Sequence, residues 1–145
     1  MNILVSACLL GVRCRYSGDG CENTAVAALR EKHHLIPVCP EQLGGMPTPR
    51  APAELKDGRV RDREGHDFTE QFDCGAREAA RLAEFFGCEA AIMKSRSPSC
   101  GCGKIYDGAF GGRLVPGNGR TAALLLEKGL KIYTEEDVAA LRKNP

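Results

Sequence analysis

No excess of either charge marks this 145-residue sequence: 20 Lys and Arg stand against 19 Asp and Glu, a net charge of +1. A global basic field that would recommend nucleic acid or an anionic membrane as a partner is therefore missing, which leaves room only for a local basic pocket. Nowhere do the roughly eighteen consecutive apolar residues of a membrane span occur. The opening MNILVSACLLGVRC has no charged segment ahead of a long apolar one. Spanning a membrane and export are both unexpected, so the expected location is the cytoplasm. Internal repeats, linkers and low-complexity tracts are also lacking, and one domain over residues 1–145 is expected.

What the chain does contain is periodic apolar sequence. Short apolar runs at residues 3–7, 35–38, 90–93 and 130–133 read as buried strands. Between them lie helical patterns. One starts at Asn23 or Thr24 and runs through Ala25, Ala28 and Leu29. A clearer one is capped by Thr69, carries Phe72, Ala76, Ala79, Leu82 or Ala83, and Phe86 on one stripe, and stops at Gly87. A third opens near Gly119 or Arg120 and ends at Gly129, and Thr134 to Asp137 resembles a capping box for a last helix through Val138 and Leu141. Alternating strands and helices predict an α/β Rossmann-like layered fold with a mostly parallel sheet. Residues 40–69 break the rhythm. Pro47, Pro49 and Pro52 keep this stretch irregular, and residues 59–61 and 66–68 around Glu64-Gly65 predict a small hairpin excursion beside the active site.

Eight cysteines are many for this length. An even count suits disulfides in an exported domain, but a chain with periodic core segments and no export signal points instead to metal ligands or redox groups. Their placement is informative. Cys8 follows the first predicted strand, Cys39 the second, and Cys100 sits in the loop after the third. In a parallel sheet those loops emerge together at the carboxyl edge, where α/β proteins bind ligands. Three converging thiolates suit an iron-sulfur cluster with one iron left open, a catalytic zinc with bound water, or direct thiol chemistry. Against zinc, no His or carboxylate stands in close pair spacing. Cys74 and Cys88 read as incidental thiols, Cys14 and Cys21 flank a glycine-containing loop near the site, and Cys102 is the substitute ligand next to Cys100.

Several polar groups accompany the thiols. The loop Lys94-Ser-Arg-Ser-Pro-Ser-Cys100 can hold a polar heterocycle or orient a proton donor, although Ser, Pro and Gly are ordinary turn residues too. Glu41, two residues past Cys39, is the carboxylate expected nearest the centre, unless it only caps the turn after Pro40. Arg13 and Tyr16 offer a cation and an aromatic face to a planar ligand. The glycine-rich residues 111–119 precede a helix whose N-terminus could cradle an anion, yet they match neither the P-loop nor the dinucleotide fingerprint. His33 and His34 are expected at a helix end, where the dipole favours positive charge. Arg59, Arg61, Asp62 and Arg63 read as a solvated hairpin face.

Taken in order along nearly the whole chain, the segments VSACLLG from Val5, RYSG from Arg15, VCPEQLGG from Val38, PTPR from Pro47, KSRSPSCG from Lys94 and IYDG from Ile105 resemble the thiouracil desulfidase family. The resemblance implies an enzyme with a [4Fe-4S] cluster on three cysteines, matching Cys8, Cys39 and Cys100. It implies removal of sulfur from 2-thiouracil or 4-thiouracil to give uracil and sulfide, the open iron acting as Lewis acid and soft sulfur acceptor. On that reading Glu41 activates water or transfers protons, and Ser97 orients the substrate or donates a hydrogen bond. Lys94, Ser95 and Arg96 are weaker substrate-binding candidates with Arg13 and Tyr16. A thiolated nucleoside, nucleotide or other thioamide is an alternative substrate, a sulfide acceptor an additional partner. A non-catalytic iron-sulfur or sulfide-handling module and a zinc hydrolase remain the alternatives in function.

Overall fold

The computed structural model describes residues 1–142. Its elements in chain order are β1 (Asn2–Ser6), a 3-10 turn (Ala7–Leu10), α1 (Thr24–Ala28), β2 (His34–Val38), α2 (Pro40–Leu43), β3 (Ala53–Lys56), β4 (Arg59–Asp62) and α3 (Thr69–Phe85). Then follow β5 (Ala90–Met93), β6 (Lys104–Tyr106), β7 (Leu114–Pro116), α4 (Arg120–Glu127), β8 (Lys131–Thr134) and α5 (Val138–Arg142). The central sheet has the order β2-β1-β5-β8 with every pair parallel. This is the layered α/β arrangement that the alternation of strand and helix predicts.

Strand alternation decides which helix goes on which face. Ile3 and Val5 point to one side, where they pack with Val26, Leu29, Val138 and Leu141 beneath α1 and α5. Leu4 points to the other, against Ala79 and Ala83 of α3 and Leu125 of α4. All four residues of β5 are buried, as a central parallel strand covered on both faces requires. Along α3, Phe72, Ala76, Ala79 and Ala83 form the buried stripe, and Gly87 follows its end at φ 62°. The stripe stops one turn earlier than its sequence suggests: Phe86 is solvent-exposed, in edge-to-face contact with Phe85. Thr69 does not cap this helix. It is the first helical residue, and its Oγ1 accepts a hydrogen bond from Val60 N, tying α3 to β4. The capping box at Thr134 and Asp137 forms as its spacing predicts, opening a 3-10 turn that leads into α5.

The excursion between α2 and α3 is more ordered than its prolines suggest. Its two-stranded ladder pairs β3 with β4 around Asp57-Gly58, both at positive φ (52° and 74°), as a tight hairpin turn demands. The pairing expected around Glu64-Gly65 exists only as one bridge between Arg61 and Asp67, with Phe68 N donating to Val60 O. A further antiparallel pair, β6 with β7, arises where only a glycine-rich turn was expected. The short helix α2 crosses the long helix α3 with almost no space between them. A Cβ on Gly75 of α3 would stand 1.9 Å from Pro40 O, and one on Gly44 would stand 1.9 Å from Gln71 O. That contact fixes α2, and with it the preceding Cys39, against the longest helix.

Candidate functional site

The carboxyl edge of the sheet carries a cavity of about 390 Å³ lined by Cys8, Cys39 and Cys100. Each arrives from a different strand and is held by its own local hydrogen bonds. Cys8 follows β1 in the 3-10 turn, and its carbonyl accepts from Gly11 N and Cys21 N. Cys39 is the residue immediately before α2, with Pro40 at the first helical position, where a missing N–H costs nothing. Cys100 is set by Ser97, whose Oγ accepts from Ser99 N at 3.0 Å and Cys100 N at 2.8 Å. The same loop closes on α4: Arg120 N donates to Pro98 O, and Thr121 N and Ala122 N donate to Ser99 O. The N-terminus of α4 is therefore occupied by this loop and does not cradle an anion. Gly119 permits the approach, since a Cβ there would lie 2.5 Å from Ser99 O.

All eight cysteines are free thiols. Burial pushes the Cys100 thiol up to about 12, with Glu41 and Cys39 adding to the rise and the Ser6 and Ser99 hydroxyls opposing it. Cys39 is raised well above the ordinary range by its hydrogen bond with Cys14, then by burial. Cys14, a buried residue on the same cavity wall, is pulled down by Cys39, pushed up more by Cys8 and burial together, and ends above its usual value. Neutral buried thiols are poor nucleophiles at pH 7, whereas a soft metal replaces the proton and removes the penalty. The Cys39 and Cys100 thiols are thus poorly suited to direct nucleophilic chemistry as they stand. Among the described residues no three His, Cys, Asp or Glu side chains converge closely enough to hold a single metal ion. The three-thiol donor set suits a larger sulfur-rich centre.

Glu41 and Ser97 line this cavity with the thiols. Glu41 lies on α2 and its Oε1 accepts from Arg50 Nε at 3.0 Å. Tyr16 lines the rim, but Arg13 does not: it is exposed, and its Nε donates to Gly18 O. The arginine of that loop at the cavity is Arg15, stacked over Tyr16 at 5.5 Å. Lys94, Ser95 and Arg96 all line the cavity, yet their polar atoms have other partners. Lys94 Nζ meets Glu135 Oε2 at 2.6 Å, and Ser95 donates to Glu135 through both N and Oγ. Arg96 reaches Glu136 at 3.6 Å. Burial opposes ionisation of Glu135, but Lys94 and Ser95 N–H hold its carboxyl below the usual range. These three residues act as braces between β5 and the segment after β8.

Cys102 lines a second cavity with Thr134 and Asp137, so it lies off the wall that carries Cys8, Cys14, Cys39 and Cys100. The His33 reading is corrected as well: its ring is buried against the N-terminal ammonium, and burial with that charge lowers its pKa. Sequence reasoning missed Arg50, Ser6, Glu54, Arg63 and Phe110, all on the cavity wall. Arg63, expected on a solvated face, stacks over Phe110 at 5.4 Å, and Glu54 accepts from Gly108 N and Phe110 N. Ion pairs between residues far apart in the chain leave no local pattern; only the PTPR segment brought Arg50 to notice.

A parallel layered sheet whose loops bring several cysteines to one cavity defines the class: an α/β protein with a thiol-lined cavity beside its central sheet. The particular family is specific: the chain belongs to the 2-thiouracil desulfurase family, whose model matches residues 3–137. It is 38% identical over 146 aligned residues to the uncharacterized protein YbbK of Bacillus subtilis (strain 168), covering 94% of this chain and 97% of that one. A solved structure of a [4Fe-4S]-dependent thiouracil desulfidase, TudS, aligns with a TM-score of 0.89 and 41% identity over 97% of each chain. Among the described residues no helix is long and apolar enough to cross a membrane.

Proposed function

We propose that this protein is a desulfidase that removes sulfur from a thiolated pyrimidine by water, using a [4Fe-4S] cluster on Cys8, Cys39 and Cys100. The observation that carries the reading is the cavity on which these three free thiols meet Glu41 and Ser97. Membership of the family and the likeness to TudS support it independently. A cluster on three cysteines supplies, when bound, one open iron that can act as a Lewis acid and a soft partner for thiocarbonyl sulfur.

The protein's own groups account for positioning and protons. Replacing C=S by C=O with water releases hydrogen sulfide and needs no net electrons, only protons moved from water to the departing sulfur. Glu41, one oxygen of which faces Arg50, is the carboxylate on the cavity wall suited to take the proton from attacking water and return it. Ser97 Oγ uses its lone pairs on two backbone N–H groups, which leaves its O–H free to donate to a ring carbonyl or nitrogen. Tyr16, Phe110 and the apolar wall of Val38 and Pro98 give a planar ring its flanking surfaces and reduce water around it.

The test is anaerobic reconstitution, with iron, zinc and acid-labile sulfide counted, a visible spectrum recorded, and sulfide release assayed from 2-thiouracil and 4-thiouracil. About four irons and four sulfides together with release are expected. A cluster without release from either compound would move the substrate to another thioamide or to a non-catalytic sulfide-handling role. Stoichiometric zinc without cluster would overturn the reading.

A further inference from the structure

Arg50 is the most deeply committed side chain on the cavity wall that the reaction does not yet use. It lies in the irregular stretch before β3, and its side chain is only 4% exposed. Every nitrogen of its guanidinium has a partner. Nε donates to Glu41 Oε1 at 3.0 Å, Nη1 to Pro47 O and Thr48 Oγ1 at 3.1 Å each, and Nη2 to Cys14 O at 3.0 Å. Thr48 is itself held by Gln42 Nε2 from α2 at 2.8 Å. The Cys14 carbonyl also accepts from Cys39 Sγ at 3.7 Å.

These contacts join the three parts of the site that the chain brings from different places: the helix after β2, the loop after β1, and the segment before β3. An arginine fork with fixed angles and five donors can define all of them at once; a lysine, as a flexible point charge, cannot. A carboxylate on a four-residue helix has little else to hold its rotamer. The guanidinium engages one oxygen and leaves the other available to the cavity.

Resting on the proton-transfer role given to Glu41 above, we infer that Arg50 is a positioning residue: it orients the Glu41 carboxylate toward the reacting water by clamping Oε1 against the Cys14 carbonyl and the residue 47–48 turn. Among the described residues its hydrogen bonds go to Glu41, Pro47, Thr48 and the Cys14 carbonyl, and none goes to a sulfur atom of Cys8, Cys39 or Cys100. Its effect on the reaction runs through the orientation of Glu41, and so falls on turnover more than on substrate affinity.

The experiment compares Arg50→Lys, Arg50→Ala, Glu41→Gln and Glu41→Gln with Arg50→Ala, each reconstituted anaerobically and assayed on 2-thiouracil. A general base contributes on the order of 100-fold or more to rate, so Arg50→Ala should lower kcat by roughly 10- to 100-fold with KM within about threefold. Arg50→Lys should recover part of the loss. The double variant should be no slower than Glu41→Gln, because an arginine that only orients Glu41 has nothing left to orient. A second readout needs no cluster: in urea unfolding of cluster-free protein, the midpoint shifts of Glu41→Gln and Arg50→Ala should be non-additive. Multiplicative losses of kcat in the double variant, normal turnover in both Arg50 variants while Glu41→Gln is impaired, or loss of the cluster absorbance from both folded Arg50 variants would each overturn the inference alone. Wild-type turnover by Glu41→Gln would overturn the proton-transfer role and the inference with it.

Discussion

Replacing Gly75 by alanine sets two opposite physical effects against each other. Gly75 is interior to α3, where alanine is ordinarily better than glycine by about 1 kcal/mol. Here the added methyl would meet Pro40 O at 1.9 Å and Gly44 N at 3.3 Å. The first contact is about 1.4 Å shorter than the roughly 3.3 Å at which carbon and carbonyl oxygen normally touch. Neither obstacle is the end of a flexible side chain, so α2 must move bodily off α3. Overpacking of this kind costs typically 1–3 kcal/mol and here exceeds the helical gain, for a net loss of about 2 kcal/mol. For a chain of 145 residues that is a fall of roughly 5–10 °C in melting temperature. The shift also carries Cys39, the residue before α2, away from the cavity, so iron retention should fall along with stability. Urea and thermal unfolding of cluster-free protein measure the first effect, and iron content after reconstitution the second. Gly111→Ala is the control: it has open space and no positive φ, so it should change stability by no more than about 0.5 kcal/mol. A Gly75→Ala protein as stable as the parent, or more so, would refute the argument that backbone contact fixes α2.

Cys8→Ala, Cys39→Ala and Cys100→Ala are each expected to abolish cluster absorbance and sulfide release together, whereas Cys74→Ala, half-buried on α3 and off the cavity wall, should preserve both; the visible spectrum and a sulfide assay decide it. His66 is raised above 6.5 by its hydrogen bond to Asp62, so its stabilisation of the hairpin is fully present below the unfolded value and disappears as pH climbs through the folded one. His66→Ala should therefore lower the urea midpoint at about pH 5.5 and leave it unchanged near pH 9; an equal effect at both would contradict the ion pair. Arg120 grips Asp73 through two bonds of 2.6 and 2.9 Å, joining α4 to α3, but both side chains are about a third exposed. Arg120→Ala should cost roughly 0.5–1 kcal/mol at low salt and clearly less in 1 M sodium chloride, measured by chemical unfolding. Removing the cluster by chelation under oxidising conditions should leave the far-UV circular dichroism and a cooperative unfolding transition in place, and a collapse of both would show that the loops depend on the metal.

Much of this site was readable because it follows from one topological rule. Buried apolar runs alternate with helical stripes, parallel strands put their carboxyl ends on one edge, and cysteines just beyond three of those ends must approach each other. The rule needs strand positions only to within a residue or two, so it tolerated a first strand that ends at Ser6 and not at Ala7. What the rule does not contain is the identity of partners far apart in the chain. Arg50 finds Glu41 through a turn built by Pro47 and Thr48, and no periodicity announces that pairing. The Gly44 and Gly75 crossing is equally silent, because glycine in a helix looks like a weakness until the neighbouring backbone is known. Arg13 and Arg15 alternate in a short irregular loop, and only the fold decides which one faces the cavity. The pairing around Glu64-Gly65 is present but short, and the longer ladder lies one turn earlier: Asp57-Gly58 is a strong turn signal that the sequence reading passed over.

The three cysteine loops share a further property that bears on how the cofactor would be used. Each is held by backbone contacts and packing: one by Gly11 N and Cys21 N on the Cys8 carbonyl, one by the start of α2 locked on α3, one by Ser97 and the N-terminus of α4. Their folding cost is met by the surrounding hydrogen bonds and the packed helices before any metal arrives. In small zinc domains the binding energy of the metal is folding energy, and the free protein is disordered. On the proposed ligand set the fold supplies that ordering itself, so binding energy would go to displacing the protons of the buried Cys39 and Cys100 thiols. The three thiols and the carboxylate held by Arg50 occupy walls of one cavity, so a substrate bound there would meet a donor geometry set by the sheet edge and not by its own arrival.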